Sequence, residues 1–180
     1  MIIRDAGPQD LPAITAIYAH HVLHGAGTFE EVPPDQEMMA ERLARVQASG
    51  WAWLVAEAEG DEGQGIVAGI VGFAYYTQFR DRSAFRFTAE DSIYVRDNVR
   101  GQGIGKALVA ALLQRATEAG FRQMFALIGD SENVGSIGLH LSLGFRQAGV
   151  LKAAGLKFGR WVDLFFMQRG IGLADRDVPE

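Results

Sequence analysis

Apolar residues recur along the chain with two different periods, which predict helices and strands in a fixed order. Helical spacing relates Leu11, Ile14, Ile17, Tyr18 and Val22 and predicts a first helix. Further helices are predicted from Pro33-Pro34-Asp35 to Gly50, from Gly101 to Ala119 and from Val134 to Leu143. Alternating or continuous apolar runs predict strands at Ile2–Arg4, Trp53–Glu57, Ile66–Tyr76, Phe87–Val95, Gln123–Ile128, Gln147–Ala153 and Trp161–Gln168. A hairpin loop is predicted at Gly60–Gly65 and a frayed tail from Gly170 to Glu180.

The length and composition are typical of one globular domain. The chain has 180 residues, of which 48% are hydrophobic and 22% are charged, so it is long enough for one sizeable core. The predicted elements follow one another without an internal linker or repeat. We therefore expect a single domain over residues 1–170 and a C-terminal tail over residues 171–180.

Cysteine content, the first residues and the net charge exclude several classes of protein. The chain has no cysteine, which excludes disulfides, Cys-ligated zinc and a thiol nucleophile and fits a reducing compartment. The N-terminus does not have the form of a signal peptide, and no run of about 18 apolar residues exists. We expect a cytoplasmic protein with no membrane partner. The net charge of −5 argues against nucleic acid as the main partner.

A glycine-rich turn, Arg100-Gly101-Gln102-Gly103-Ile104-Gly105, separates a predicted strand from a predicted helix. Such a turn exposes unpaired backbone N–H groups at the positive end of the helix dipole, where phosphate binds. A Walker loop ending on Gly105-Lys106 would need Gly at position 100 and Ser or Thr at position 107, but the chain has Arg100 and Ala107. A dinucleotide fingerprint from Gly101 would place Lys106 at its last position. The remaining match is Arg-x-x-Gly-x-Gly.

This turn resembles the acyl-CoA pyrophosphate loop of the GNAT acetyltransferases. The element order β-α-α-β-β-β-α-β-α-β-β is similar to the GNAT domain along nearly the whole chain. Four further motifs resemble the phosphinothricin and methionine sulfoximine acetyltransferases of that family: Thr88–Val95, Ser136–His140, Leu143-Gly144-Phe145 and Lys157–Asp163. The resemblance implies an α/β (α+β) GNAT fold, in which helices flank a central mixed, mostly antiparallel splayed sheet.

The resemblance also implies acetyl-CoA as cosubstrate, a small-molecule amine as acceptor and no metal. We expect the N–H groups from Gly101 to Lys106 to hold the pyrophosphate, with Arg100 or Lys106 as an added cation. The strand end formed by Ile93, Tyr94 and Val95 would pair with pantetheine, and one of its N–H groups would polarise the thioester. Core packing is the alternative role of the Ile93 and Val95 side chains. The full expected cofactor set is Ile93, Tyr94, Val95, Arg100, Gly101, Gln102, Gly103, Ile104, Gly105, Lys106 and Asn133.

Two side chains are candidates for catalysis. The acceptor amine is mostly protonated at pH 7 and needs a base, and similar enzymes use a glutamate at the position of Glu90. Asp91 is the rival carboxylate, although a period of two places it on the other face of the strand. His140 occupies the place of a proton-donating tyrosine in many GNAT enzymes and could protonate the leaving thiolate. Its alternative is a histidine hydrogen-bonded in the core. For Asn133 the alternative is a helix N-cap.

The expected substrate contacts are Arg80, Arg82, Glu90, Asp91 and Ser92. Arg80 matches an arginine of the methionine sulfoximine branch that could bind an α-carboxylate, whereas an exposed turn is the alternative role of Arg80 and Arg82. Thr28-Phe29-Glu30 would form the opposite wall. Similar proteins also use the Lys157–Trp161 turn to shape the substrate site and a homodimer. His20, His21 and His24 lack a carboxylate at matching spacing, so no metal site is expected there.

The leading hypothesis is an N-acetyltransferase that transfers acetyl directly to the α-amino group of a small amino acid, such as phosphinothricin, methionine sulfoximine or methionine sulfone. Acetylation would detoxify such compounds. A protein N-terminal acetyltransferase of the ribosomal-protein type is one alternative, and a non-catalytic acyl-CoA-binding sensor is another.

Overall fold

A computed structural model describes residues 1–60 and 68–179, and within these ranges one mixed sheet contains seven strands. The strands lie in the order β1-β2-β3-β4-β5-β7-β6. Neighbouring strands are antiparallel except β4 and β5, which are parallel. Their bounds are β1 Ile2–Asp5, β2 Trp53–Ala58, β3 Gly69–Gln78, β4 Thr88–Val95, β5 Gln123–Gly129, β6 Arg146–Lys157 and β7 Arg160–Gly170.

Helices cover both faces of this sheet. They are α1 Leu11–His24, α2 Gln36–Ala48, α3 Ile104–Glu118 and α4 Val134–Ser142. The apolar sides of α1 and α2 pack with Trp53, Val55 and Phe73 of the sheet into one core cluster. The apolar side of α3 packs with the opposite faces of β2 to β5 and β7 into a second cluster, against which Ile137 and Leu139 of α4 lie. The sheet therefore has an α1/α2 face and an α3/α4 face, and neither contains a helix long and apolar enough to cross a membrane among the residues described.

The two parallel strands separate part of the way along their length. Their ladder ends at the pair Asp91 and Ala126. Beyond it, β4 stays paired with β3 as far as Val95, and β5 stays paired with β7 as far as Gly129. Backbone groups on the facing edges of β4 and β5 consequently lose their strand partners and border an open gap.

The predicted architecture, a mixed, mostly antiparallel splayed sheet with flanking helices, is confirmed. The hairpin loop predicted at Gly60–Gly65 falls mostly outside the described residues, as do positions 66 and 67, where the third strand was predicted to begin. In the described part that strand runs from Gly69 to Gln78.

Strand β6 is longer than the pattern predicts, because its register is irregular. The pairing with β7 shifts between Leu151 and Gly155, and Ala153 lies at a positive φ of 51°. Asp163 stabilises the irregularity: its Oδ1 accepts a hydrogen bond from the Ala153 N–H at 3.0 Å. A bulge of this kind breaks the alternation of side chains, so the apolar pattern stops before the strand does.

The predicted tail is packed at its beginning. Ile171 is buried in the core cluster beside α3, and its N–H donates to the carbonyl of Arg122 at 2.9 Å. Arg122 also pairs with Asp177 at 3.3 Å. The core therefore extends beyond Gly170, where the sequence predicts fraying.

Candidate active site

The gap between β4 and β5 opens into a cleft of about 900 Å³. Most of the predicted site residues line it: Glu90, Asp91, Ser92, Ile93, Tyr94, Val95, Arg100, Gly101, Gly103, Ile104, Gly105, Lys106, Asn133 and His140. Arg80, Arg82 and Gln102 do not line it, although Arg80 contacts Glu90 at its edge. The cleft is thus bounded by the splayed strands and by the starts of α3 and α4.

The glycine-rich turn forms the entrance to α3. Gly101 and Gly103 lie at φ values of 77° and 79°, which residues that have a Cβ atom adopt only with strain. The first backbone hydrogen bond of the helix runs from the Ala107 N–H to the Gly103 carbonyl at 3.0 Å. The N–H groups ahead of Ala107 therefore have no partner within the helix and can bind an anion at its positive end.

The third glycine of the turn has a packing role. A Cβ atom at Gly105 would lie 2.6 Å from Cδ1 of Leu139, so this glycine lets the start of α3 approach α4. Arg100, which is more than half exposed, pairs with Asp97 at 3.1 Å. Its guanidinium is therefore already partly neutralised at the rim of the cleft.

The end of β4 presents backbone groups to the cleft. The Phe79 N–H donates to the carbonyl of Thr88, the first residue of β4, and the N–H of Arg96, just past the end of β4, donates to the Val71 carbonyl. Even-numbered residues of β4 therefore exchange backbone hydrogen bonds with β3. In an antiparallel pair the intervening residues point the other way. The N–H groups of Ile93 and Val95 are therefore directed toward the gap, while the side chains of both residues pack against the α3 cluster.

Glu90 lies on the α1/α2 face of β4. Tyr94, four residues along the same face, packs against Tyr18 of α1 with ring centroids 4.8 Å apart. Burial raises the pKa of Glu90 to about 6, against the opposing effect of Arg80 and with a smaller contribution from Asp91. The Arg80 Nη1 atom lies 3.5 Å from Glu90 Oε2. A half-buried carboxylate and a half-exposed guanidinium thus stand side by side.

Asp91 lies on the opposite face, buried against His140. His140 Nε2 is 3.1 Å from Asp91 Oδ2, and Nδ1 is 2.8 Å from the Ser136 carbonyl. Burial lowers the pKa of His140, but the hydrogen bond and charge of Asp91 outweigh it, so the pKa lies above its ordinary value of 6.5. Both ring nitrogens therefore have partners, and the ring is 1% exposed.

His21 is a cleft residue that the sequence did not single out for the site. Its Nε2 lies 2.9 Å from the Val95 carbonyl, and since a carbonyl only accepts, Nε2 carries the proton. Burial lowers the pKa of His21, so the ring is neutral at pH 7. The neighbouring rings of His20 and His24 are tilted against each other with centroids 4.9 Å apart. Among the described residues, no group of three or more His, Asp or Glu side chains could hold a metal ion.

The opposite wall of the cleft is the loop after α1, whose side chains are joined to the first two helices. The hydroxyls of Tyr18 and Thr28 lie 3.1 Å apart, and the Tyr18 hydroxyl donates to Glu30 at 2.9 Å. Arg42 of α2 pairs with the same Glu30 carboxylate at 2.8 Å. Thr28 and Phe29 line the cleft, as the predicted wall requires, whereas Glu30 does not.

Asn133 caps α4 and faces the cleft at the same time. Its Oδ1 accepts the Ser136 N–H at 3.2 Å, which is the geometry of the N-cap alternative. The side-chain amide nitrogen is on the side of Gly27. A contact of Asn133 with the cofactor stays a prediction.

Two relatives are similar over nearly the whole chain. The phosphinothricin N-acetyltransferase of Alcaligenes faecalis is 49% identical over 99% of this chain and 85% of its own. The L-methionine sulfoximine/L-methionine sulfone acetyltransferase of Pseudomonas aeruginosa is 43% identical over 92% of both chains.

Two solved structures share the fold closely. The phosphinothricin acetyltransferase of Sinorhizobium meliloti, in complex with acetyl-CoA, matches with a TM-score of 0.91 and 44% identity over 99% of this chain and 92% of its own. The ribosomal-protein-alanine N-acetyltransferase of Brucella melitensis matches with a TM-score of 0.88 and 40% identity over 95% and 100%. The family model described as Acetyltransferase (GNAT) family matches residues 18–145. Together with the splayed sheet and the glycine turn, these matches show that the chain belongs to the GNAT family of acetyltransferases.

Proposed function

We propose that the protein transfers the acetyl group of acetyl-CoA to the α-amino group of a small amino acid or analogue, such as phosphinothricin, methionine sulfoximine or methionine sulfone. The pair formed by Arg80 and Glu90 is the observation that carries this proposal. With 3.5 Å between its charged atoms, the pair offers a cation and an anion side by side. The head of an α-amino acid carries the complementary charges on adjacent groups, so the carboxylate would bind Arg80 and the amine would lie at Glu90.

The residues present fit acetyl-CoA as the acetyl donor. The diphosphate would bind the N–H groups at the entrance of α3, with Lys106 in the first turn as an added cation. The pantetheine chain would lie between β4 and β5, where the ladder ends at Asp91. The N–H groups of Ile93 and Val95 point there, and one of them would stabilise negative charge on the thioester oxygen during transfer.

Glu90 would act as the general base for direct transfer. A carboxylate whose pKa is about 6 is ionised at pH 7 and is a stronger base than an exposed glutamate. It would first take one proton from the bound ammonium group, which frees the nitrogen lone pair. The nitrogen would then form the C–N bond with the thioester carbon, and its second proton would pass to the departing thiolate as the C–S bond breaks, giving the amide and free CoA thiol. Ser92 would border the amine on the same face of β4, since it lines the cleft two residues from Glu90.

His140 and Asp91 fit a positioning role better than proton donation to the thiolate. Both ring nitrogens of His140 have partners at 2.8 and 3.1 Å, so the geometry favours the alternative of a core histidine. Asp91 would accordingly contribute through His140 and leave the amine to Glu90. Arg82 lies in the Arg80 turn without lining the cleft, which favours its alternative, an exposed turn residue.

A protein N-terminal acetyltransferase remains the second candidate, because the Brucella melitensis structure of that class is 40% identical. Purified protein with acetyl-CoA should be assayed for free CoA against two sets of amines. The first set is phosphinothricin, methionine sulfoximine and methionine sulfone, and the second is short peptides with N-terminal alanine. We expect turnover on the first set. Turnover on the peptides alone would replace the proposal with the second candidate.

Substitutions at Gly103 test whether the entrance of α3 binds the diphosphate. Asp and Asn both tolerate positive φ better than other side chains and both cap helices well, so Gly103→Asp and Gly103→Asn should preserve α3. Only Asp brings a negative charge to the place where the diphosphate is expected to bind. We expect the KM for acetyl-CoA to be at least about tenfold higher for Gly103→Asp than for Gly103→Asn. Equal KM values in steady-state assays would place the cofactor elsewhere.

We also propose that the protein forms a homodimer through the hairpin of β6 and β7. We expect it to work in the cytoplasm. Strand β6 is one edge of the sheet, and the hairpin exposes four large apolar side chains: Leu151, Leu156, Phe158 and Trp161. Several large apolar side chains exposed on one hairpin favour an interaction surface there. Light scattering should give about twice the chain mass of 19.6 kDa. A single species at the chain mass would contradict the dimer.

A further inference from the structure

The loop after α1, residues 25–29, covers the α1/α2 face of the cleft and is held there by contacts from the other end of the chain. We call these residues the covering loop. Thr28 is buried and Phe29 is partly exposed, and both line the cleft. The covering loop and Glu90, the carboxylate at which the amine is expected to bind, therefore border the same cleft.

A buried lysine fastens the covering loop. The Nζ of Lys157, at the end of β6, donates to the Gly25 carbonyl at 2.8 Å and to the Thr28 carbonyl at 2.7 Å. Lys157 is 2% exposed, and burial lowers the pKa of its ammonium group. A cation held among main-chain carbonyls orients them strongly, because each of these hydrogen bonds is charge-assisted. The two hydrogen bonds hold the covering loop at its first residue, Gly25, and near its end, at Thr28.

Two glycines let the covering loop approach the sheet more closely than any side chain would allow. A Cβ atom at Gly129, the last residue of β5, would overlap the carbonyl oxygen of Ala26. A Cβ atom at Gly155 of β6 would overlap the ring edge of Phe29. The loop is therefore seated on β5 and β6 as well as tied to Lys157.

We propose that Lys157 is a positioning residue that fixes the covering loop as the outer wall of the amine site. It does not line the cleft and acts through Thr28 and Phe29, which confine a compact acceptor beside Glu90. The inference rests on the proposed function, because it requires the amine to bind on the Glu90 face. Selectivity for small acceptors would then depend partly on Lys157, which lies 129 positions along the chain from Thr28.

Replacing Lys157 with methionine tests this role, because methionine keeps the unbranched chain and removes the donors. Lys152→Met is the matched control, since Lys152 lies on the same strand, is 75% exposed and pairs with Asp163 rather than with the covering loop. We expect Lys157→Met to raise the KM for methionine sulfone roughly tenfold and to change the KM for acetyl-CoA by less than about twofold. Lys157→Arg, which keeps the donors, should recover part of the difference.

Gly155→Ala reaches the same wall without removing a charge, and it keeps the test decisive if Lys157→Met does not fold. Its added methyl group should displace Phe29 and raise the KM for the amine selectively. Wild-type amine KM values in Lys157→Met and Gly155→Ala would overturn the inference, and so would equal increases in both KM values. Hydrogen exchange of residues 25–29 should be faster in Lys157→Met than in Lys152→Met; unchanged exchange overturns the inference without any assay of activity. A wild-type enzyme inactive on every small amino acid would instead refute the proposed function.

Discussion

Glu90→Gln is expected to lower kcat/KM by roughly 10²–10⁴ and to leave the binding of acetyl-CoA intact. Glutamine has nearly the same size and cannot accept the proton of the amine. The change does not touch the main-chain groups that are expected to bind the cofactor at the entrance of α3 and along the gap. The measurement is steady-state transfer to methionine sulfone, together with the thermal shift produced by CoA.

The same experiment has a pH signature. Burial raises the pKa of Glu90 to about 6, and the base works only when it is deprotonated. Activity of the wild type should therefore fall as the pH drops through about 6, and Glu90→Gln should lack this acid limb. Glu132→Gln is a matched control, because Glu132 also lines the cleft but is exposed; it should stay close to wild type. A Glu90→Gln enzyme as active as wild type would remove Glu90 as the base.

Asp91→Ala is expected to cost about 3–5 kcal/mol in the free energy of unfolding. The change leaves His140, which is 1% exposed, as a buried ring with one nitrogen deprived of its partner. Urea unfolding followed by circular dichroism measures the loss. Asp91→Asn is the control, since its amide can donate to a neutral His140, and it should cost clearly less. A loss below about 1 kcal/mol for Asp91→Ala would contradict the buried pair.

The effect of Asp91 on stability should also depend on pH. The pKa of His140 is raised in the folded protein, so the stability gained from its protonated form is fully present below the ordinary value of 6.5. It is lost as the pH rises through the raised pKa. The difference between wild type and Asp91→Ala should therefore be larger at pH 6 than at pH 9. A difference that grows with pH would contradict this assignment of charge.

Local patterns in the sequence predict the parts of the site that depend on near neighbours. Period-two alternation places Glu90 and Asp91 on opposite faces, and the glycine turn predicts the start of α3 to within a few residues. Both depend on residues close together in the chain, where backbone geometry alone relates side chains. The proposed catalytic role of Glu90 comes from the resemblance to a family, and the burial that raises its pKa supports that role.

Other parts of the site depend on contacts between distant segments. His21 meets Val95 across 74 positions, and Lys157 meets Thr28 across 129. In the sequence, His21 belongs to a histidine cluster on a helix, and Lys157 precedes a tight turn, where lysine is ordinarily exposed. Nothing in the local pattern distinguishes these residues from solvated ones. The length of β6 was missed for a related reason, since the partner that stabilises its irregularity at Ala153 is Asp163 on the next strand.

The division of β4 between two faces makes this strand sensitive to its length. Glu90 serves the side where the amine is expected, and Asp91 is fixed to His140 on the other. Deleting or adding one residue at Ala89 would move Glu90 to the α3/α4 face and Asp91 to the α1/α2 face. The same shift would turn Tyr94 away from Tyr18. Chimeras built with a related enzyme should therefore exchange β4 whole, together with α1 and α4, because these helices hold the two partners against which its register is set.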